Sequence, residues 1–141
     1  MKFERLMIAA AFCSLLVAAC LFTVPRVMAD AADDGKHEIT AQALKQRLDK
    51  GEKVVILDAR HDLNGQIIKG AVHVPGDKLE GWAKDVDKKT VIVTYCTCPH
   101  DEAAEAEVTS LRGWGYENAF SLKGGMNAAR EAGLEIVAPT E

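Results

Sequence analysis

The stretch Thr90-Val91-Ile92-Val93-Thr94-Tyr95-Cys96-Thr97-Cys98-Pro99-His100-Asp101-Glu102 joins two different patterns at a single cysteine. Residues 90–95 are β-branched or aromatic and read as a buried strand. The segment from Glu102 to Arg112 is rich in Ala and Glu and reads as a helix, with Gly113 and Gly115 as its stop signals. Cys96 therefore opens a strand-to-helix turn. A thiol there faces unpaired backbone N–H groups at the positive end of a helix dipole. Such a setting lowers a thiol pKa and stabilises an anion on sulfur. On this reading Cys96 is a nucleophile. The alternative is a structural cysteine at a strand end, and exposure decides between the two.

Working outward, the same alternation continues on both sides. Thr40 is placed to cap a helix over residues 41–48, in which Leu44 and Leu48 form an i, i+4 stripe and Gly51 marks the end. Val54-Val55-Ile56-Leu57 is a wholly apolar strand of the kind found inside parallel sheets, and it ends in Asp58-Ala59-Arg60. Ala71-Val72-His73-Val74 is a second short strand closed by Pro75-Gly76. Residues 77–86 read as a helix with Leu79 and Trp82 inward. Residues 119–122 read as a strand, 126–132 as a helix ended by Gly133, and Leu134-Glu135-Ile136-Val137 closes the domain. Strands alternating with helices imply one α/β domain, a central, mainly parallel sheet flanked by helices on both faces. Ligands of such sheets sit at the carboxyl ends of strands. Asp58-Ala59-Arg60 and Cys96 both fall at such ends, and His73 does too.

The chain has 141 residues and suits a single domain at 37–138, preceded by a small, acidic linker at 30–36. Residues 1–29 differ in kind. Lys2 and Arg5 precede an uncharged apolar run from Leu6 to Val24, and Val27-Met28-Ala29 has the small-x-small form of a cleavage site. This is the pattern of a secretory signal peptide cut after Ala29. The run is also long enough for a membrane anchor, and Val17-Ala18-Ala19-Cys20 resembles a lipoprotein box. All three readings place the domain outside the cytoplasm, in a periplasm-like compartment, and limit any membrane contact to the N-terminal segment. Loss of Lys2, Arg5, Arg26 and Glu4 takes the formal charge from −4 to −6. An acidic domain without a basic cluster argues against nucleic acid as a partner. Cys13 and Cys20 leave with the leader, so Cys96 and Cys98 remain. Two cysteines one residue apart are not a structural disulfide framework, and a functional pair is expected.

The order of motifs resembles the rhodanese family of single-domain sulfurtransferases. The resemblance is carried by Val54-Val55-Ile56-Leu57-Asp58-Ala59-Arg60, Lys69-Gly70-Ala71-Val72-His73-Val74-Pro75, Val93-Thr94-Tyr95-Cys96, Gly115-Tyr116-Glu117-Asn118-Ala119, Leu122-Lys123-Gly124-Gly125-Met126 and Ala132-Gly133-Leu134. It implies a persulfide on Cys96, formed from a small sulfane-sulfur donor and passed to a thiol, cyanide or a protein acceptor, with no cofactor. It also implies that the amides of the loop Thr97, Cys98, Pro99, His100, Asp101 and Glu102 cradle the sulfur, and that Asp58 and Arg60 form a bracing ion pair. The loop looks like a Cys-x-Cys-Pro subgroup. It has no Arg to grip a dianion and carries two carboxylates, which disfavours thiosulfate as donor and a phosphatase activity. The family's Trp in the last helix is replaced by Ala128-Ala129.

The remaining candidates carry open readings. Cys98 takes sulfur from Cys96, closes a disulfide with it, or only shapes the loop. His100 holds the thiolate as an ion pair, acts as general acid, or is an exposed loop residue. Asp101 or Glu102 caps the helix. Cys96, Cys98 and His100 on one tight loop lack the paired spacing of a metal site, so no metal is expected. His37 and His61 read as surface residues, Trp82 and Trp114 as core or rim packing. Glu102, Glu105 and Glu107 read as a solvated helix face, with the first placed well against the dipole. A monomer is expected. Two other functions stay in play: a thiol–disulfide protein cycling Cys96 and Cys98, and a non-catalytic sulfur carrier.

Overall fold

A computed structural model describes residues 37–63 and 65–139, so the leader and linker lie outside the described residues. In chain order the elements are β1 (Glu38–Ile39), α1 (Ala41–Asp49), β2 (Val54–Asp58), β3 (Ile67–Ile68), β4 (Val72–His73), α2 (Gly76–Ala83), β5 (Val91–Tyr95), α3 (Glu102–Gly113), β6 (Ala119–Leu122), α4 (Gly125–Glu131) and β7 (Ile136–Val137). Five strands form a parallel sheet in the order β1-β6-β5-β2-β4, and β3 pairs antiparallel with β7. None of the described helices is long and apolar enough to cross a membrane.

The sheet has a core on each face because strand side chains alternate. Ile56, Val93, Tyr95 and Leu122 face one way and pack with Leu44 of α1 and Met126 and Ala129 of α4. Leu57, Ile92 and Ala119 face the other and pack with Leu79 and Ala83 of α2 and Val108 and Leu111 of α3. The α1 start follows from Thr40, whose hydroxyl accepts from the Ala43 amide at 3.2 Å. Thr94 is buried in β5, and its hydroxyl donates to the Ala104 carbonyl at 2.9 Å, tying the central strand to α3.

Three details differ from the sequence-based expectation. β1 and β3 have two residues each, too short to show a period. They exist because register places Glu38 and Ile39 beside Ser121 and Leu122, and Ile67 and Ile68 beside Val137 and Ile136. Helix α2 stops at Ala83, not 86, where the Tyr116 hydroxyl donates to the Ala83 carbonyl and turn bonds replace the helical ladder. Trp114 stands at the rim, 40% exposed, one of the two places expected for it.

Glu107 is the third. It is not on a solvated face but buried, at 4% exposure, in line with Ala104, Val108 and Leu111. The i, i+3, i+4, i+7 spacing of that stripe contains position 107, so the helical period outranks the charge pattern here. Burial, with the Asp58 charge as a smaller contribution, pushes the Glu107 carboxyl up from its ordinary 4.5 to about 8. The folded protein therefore holds a proton there that the unfolded chain releases above its ordinary value. The stability this confers is full below 4.5, falls as pH rises, and is gone above about 8. Glu107→Gln should raise the melting temperature at about pH 9 and change it far less at about pH 5, as read by thermal denaturation followed by circular dichroism.

Candidate active site

Asp58 ends β2 in register with Tyr95 of β5 on one side and His73 of β4 on the other. Its carboxylate is fully buried. Arg60, two residues on, turns back to it, with Nε 2.8 Å from Oδ1 and 3.0 Å from Oδ2, and Nη2 also bonded to Oδ2. The Tyr95 hydroxyl donates to Asp58 Oδ2 at 2.9 Å and accepts from the Ile68 amide at 3.2 Å. Burial raises the Tyr95 phenol well above its usual range, so it serves as a hydroxyl donor at any ordinary pH. His73 Nε2 donates to the Arg60 carbonyl at 2.7 Å, which fixes the proton on that nitrogen. Arg60 also donates to the Gln66 carbonyl at 3.0 Å. The guanidinium is thus committed within the fold.

Cys96 follows Tyr95 directly and is 1% exposed. It is joined to Cys98 by a disulfide, and the Cys98 amide points at Cys96 Sγ at 3.4 Å. The two sulfurs sit at a cleft of about 390 Å³ walled by Ala59, Arg60, His61, Asp62, Thr97 and Ala103. Thr97 and Pro99 are exposed. His100 is exposed as well and does not line this cleft. Glu102 opens α3 in its first turn. Among the described residues no group of three or more His, Cys, Asp or Glu side chains is placed to hold a metal ion.

Asp101 has a role that helix capping does not describe. It occupies the N-cap of α3 in the left-handed region, at φ 57°, and its side chain makes no cap bond. The carboxylate instead accepts from the Gly124 amide at 2.8 Å, 23 residues away in sequence. The next residue, Gly125, also has positive φ, at 48°, and its amide plane lies against the Cys loop: a Cβ there would overlap the Cys96 carbonyl oxygen and stand 3.0 Å from Asp101 Oδ1. The Met126 amide donates to that same Cys96 carbonyl at 3.3 Å. The loop after β5 is therefore seated on the Gly124–Gly125 turn at the start of α4. The paired glycines were visible in the sequence, but their contact with residues 96 and 101 was not.

Known proteins fit this arrangement. The Rhodanese-like domain family matches residues 40–132, well over half of the chain. The chain belongs to the rhodanese-like domain family. The match runs from the cap of α1 to the end of α4 and takes in the whole loop after Cys96. A structure of the Alr3790 protein of Anabaena sp. is 33% identical, with a TM-score of 0.62 over 70% of this chain and 90% of that one. The BH2092 protein of Bacillus halodurans is 27% identical, with a TM-score of 0.63 over 72% of this chain and 77% of that one. Among curated proteins, YrkF of Bacillus subtilis (strain 168), named for a suggested sulfur-carrier role, is 28% identical over 91 residues, 63% of this chain. The chain spans about half the length of that relative, 48% of it.

Because this rhodanese-like domain seats its cysteine loop on a glycine, Gly125→Ala tests the seat. The added methyl meets backbone, which cannot swing aside, and it sits at a φ that L-residues avoid. The variant should lose about 2–4 kcal/mol in chemical denaturation and show altered reactivity of Cys96 toward a thiol-specific reagent. Ala at Gly113, where a Cβ meets open space, should behave nearly as the parent.

Proposed function

We propose that the protein is a sulfurtransferase working through a persulfide on Cys96. The observation that carries this is the position of Cys96: at the carboxyl end of the central strand, on a cleft, ahead of a helix N-terminus and with the Cys98 amide directed at its sulfur. The family and the name of the YrkF relative support sulfur transfer as the chemistry. An external dithiol reduces the Cys96–Cys98 bond by thiol–disulfide exchange, is itself oxidised to a disulfide, and frees both thiols. The Cys96 thiolate then attacks the terminal sulfur of a sulfane donor. The donor's S–S bond breaks, its electron pair leaves with the donor, and Cys96 carries the extra sulfur. A thiolate acceptor attacks that outer sulfur and returns the electron pair to Cys96. Backbone dipoles of the loop favour the anionic forms along the way.

The donor is a polysulfide or a low-charge persulfide in preference to thiosulfate. Arg60, the cationic residue walling the cleft, is held by Asp58, and Asp62 faces the same space. The pattern of residues 1–29 supports an exported protein, and the mature form isolated from a periplasmic fraction should begin at Asp30 by intact mass.

The Cys96–Cys98 disulfide favours one second reading, a thiol–disulfide protein that cycles the pair. Intact-mass spectrometry of the reduced protein separates the two. Incubation with polysulfide should add one sulfur atom, removable by cyanide and absent from Cys96→Ser, while Cys98→Ser keeps it. Thiosulfate should load far less. No adduct with either donor, together with reversible oxidation that needs both cysteines, would replace sulfur transfer by the redox reading.

A further inference from the structure

A persulfide has two sulfurs that a thiolate can attack, with different products. Attack on the outer sulfur carries it away, and attack on the inner one expels the outer one as sulfide. In this fold the two positions meet different surroundings. The inner sulfur is Cys96 Sγ, and Cys96 is 1% exposed. An outer sulfur has the cleft of about 390 Å³ to occupy, which both cysteines wall. A thiol arriving from solvent therefore meets the outer sulfur. Cys98 has the other access. Its sulfur is bonded to Cys96 Sγ itself, so the path of the loop brings Cys98 onto the inner atom. The loop is pinned at both ends, by the Met126 amide on the Cys96 carbonyl at 3.3 Å and by the Asp101 carboxylate on the Gly124 amide at 2.8 Å. A thiol held one residue away on such a loop acts at an effective concentration on the order of millimolar or higher.

We propose that Cys98 is a second catalytic residue, which resolves the Cys96 persulfide and gives the protein a further activity, the reduction of sulfane sulfur to hydrosulfide. This rests on the persulfide reading and names a fate for its sulfur. The Cys98 thiolate attacks Cys96 Sγ. The bond from Cys96 to the outer sulfur breaks, and its electron pair leaves with that sulfur. Hydrosulfide departs with the proton that the persulfide carried. Cys96 and Cys98 are oxidised to the disulfide of the structure, while the sulfane sulfur is reduced. The co-reactant is a dithiol, which restores the pair by exchange and is itself oxidised to a disulfide. It enters at Cys98, the more exposed of the two. Cys96 then leaves as the thiolate, with the Cys98 amide directed at its sulfur at 3.4 Å. The Cys96–Cys98 disulfide is thus one station of the sulfur cycle, and outside acceptors compete with Cys98 for the same persulfide.

The test uses the full chain, reduced, freed of reductant and kept anaerobic, with one equivalent of glutathione persulfide and no dithiol. Acid-quenched samples are followed by intact mass, and sulfide is trapped with a bromobimane. The unaltered protein should gain one sulfur, then fall to the mass of its disulfide form as sulfide appears in step. Cys98→Ser should gain the same sulfur, hold it about 10-fold longer or more, and release little sulfide. Its loading shows that the loop is intact. Cyanide added with the donor should draw the sulfur off as thiocyanate in Cys98→Ser and compete with sulfide release in the unaltered protein. An adduct that lasts equally long in the two proteins would overturn the proposal. So would sulfide released without the disulfide form, or sulfur that fragmentation finds on Cys98. A Cys98→Ser protein that never gains sulfur sinks the persulfide reading itself, and the resolving role falls with it.

Discussion

A carboxylate with no access to water has to be answered by partners inside the protein, and Asp58 imposes that condition on the whole active end of the sheet. Arg60 turns inward to meet it, Tyr95 reaches it from the neighbouring strand, and His73 holds the carbonyl of Arg60. The Tyr95 hydroxyl then takes the amide of Ile68, which anchors the small β3–β7 ribbon to the main sheet. Removing one member of such a buried set costs about 3–5 kcal/mol, because the others are left uncompensated. Three strand ends and the residue just before Cys96 are thereby fixed to one another.

The chemistry of the cleft follows from that commitment. Arg60 walls the cleft, yet its charge is directed at Asp58, and its Nη2 also donates to the Gln66 carbonyl. The cysteine loop has no Lys or Arg, which is the ground for the proposed preference for donors that do not need a strong anion grip. In the proposed reaction, negative charge on sulfur would be met by backbone: the Cys98 amide and the N-terminus of α3. Backbone also sets the loop's shape, since the Gly124–Gly125 turn takes the Asp101 carboxylate and packs against the Cys96 carbonyl. Among the described residues, the Glu107 carboxyl and the Ser121 hydroxyl are the buried side-chain groups without a hydrogen-bond partner.

Much of the fold was legible because its signals are local. The apolar run at 91–95, the Ala/Glu helix behind it, and the cap at Thr40 each depend on neighbours within a turn or a strand. The alternation of these elements then implies a parallel sheet, and the placement of Asp58 and Cys96 at strand ends follows. The short strands β1 and β3 escaped because two residues have no period, and only pairing defines them. Glu107 was misjudged because its grouping with Glu102 and Glu105 suggested a solvated face, although the apolar stripe through 104, 108 and 111 already enclosed it.

By itself, the sequence determined the α/β alternation, the strand-to-helix turn at Cys96 and the likeness to rhodanese-like domains, all of which are written in spacing along one stretch of chain. Only the tertiary structure decided which distant groups meet, Asp101 with Gly124 and Tyr95 with Asp58, and that Glu107 is buried without a partner. The physical reason is that hydrogen-bond partnership and burial depend on the surroundings in three dimensions. A carboxyl has the same letter whether it bonds a distant amide, pairs with an arginine or lies buried without a partner, and packing alone selects among them.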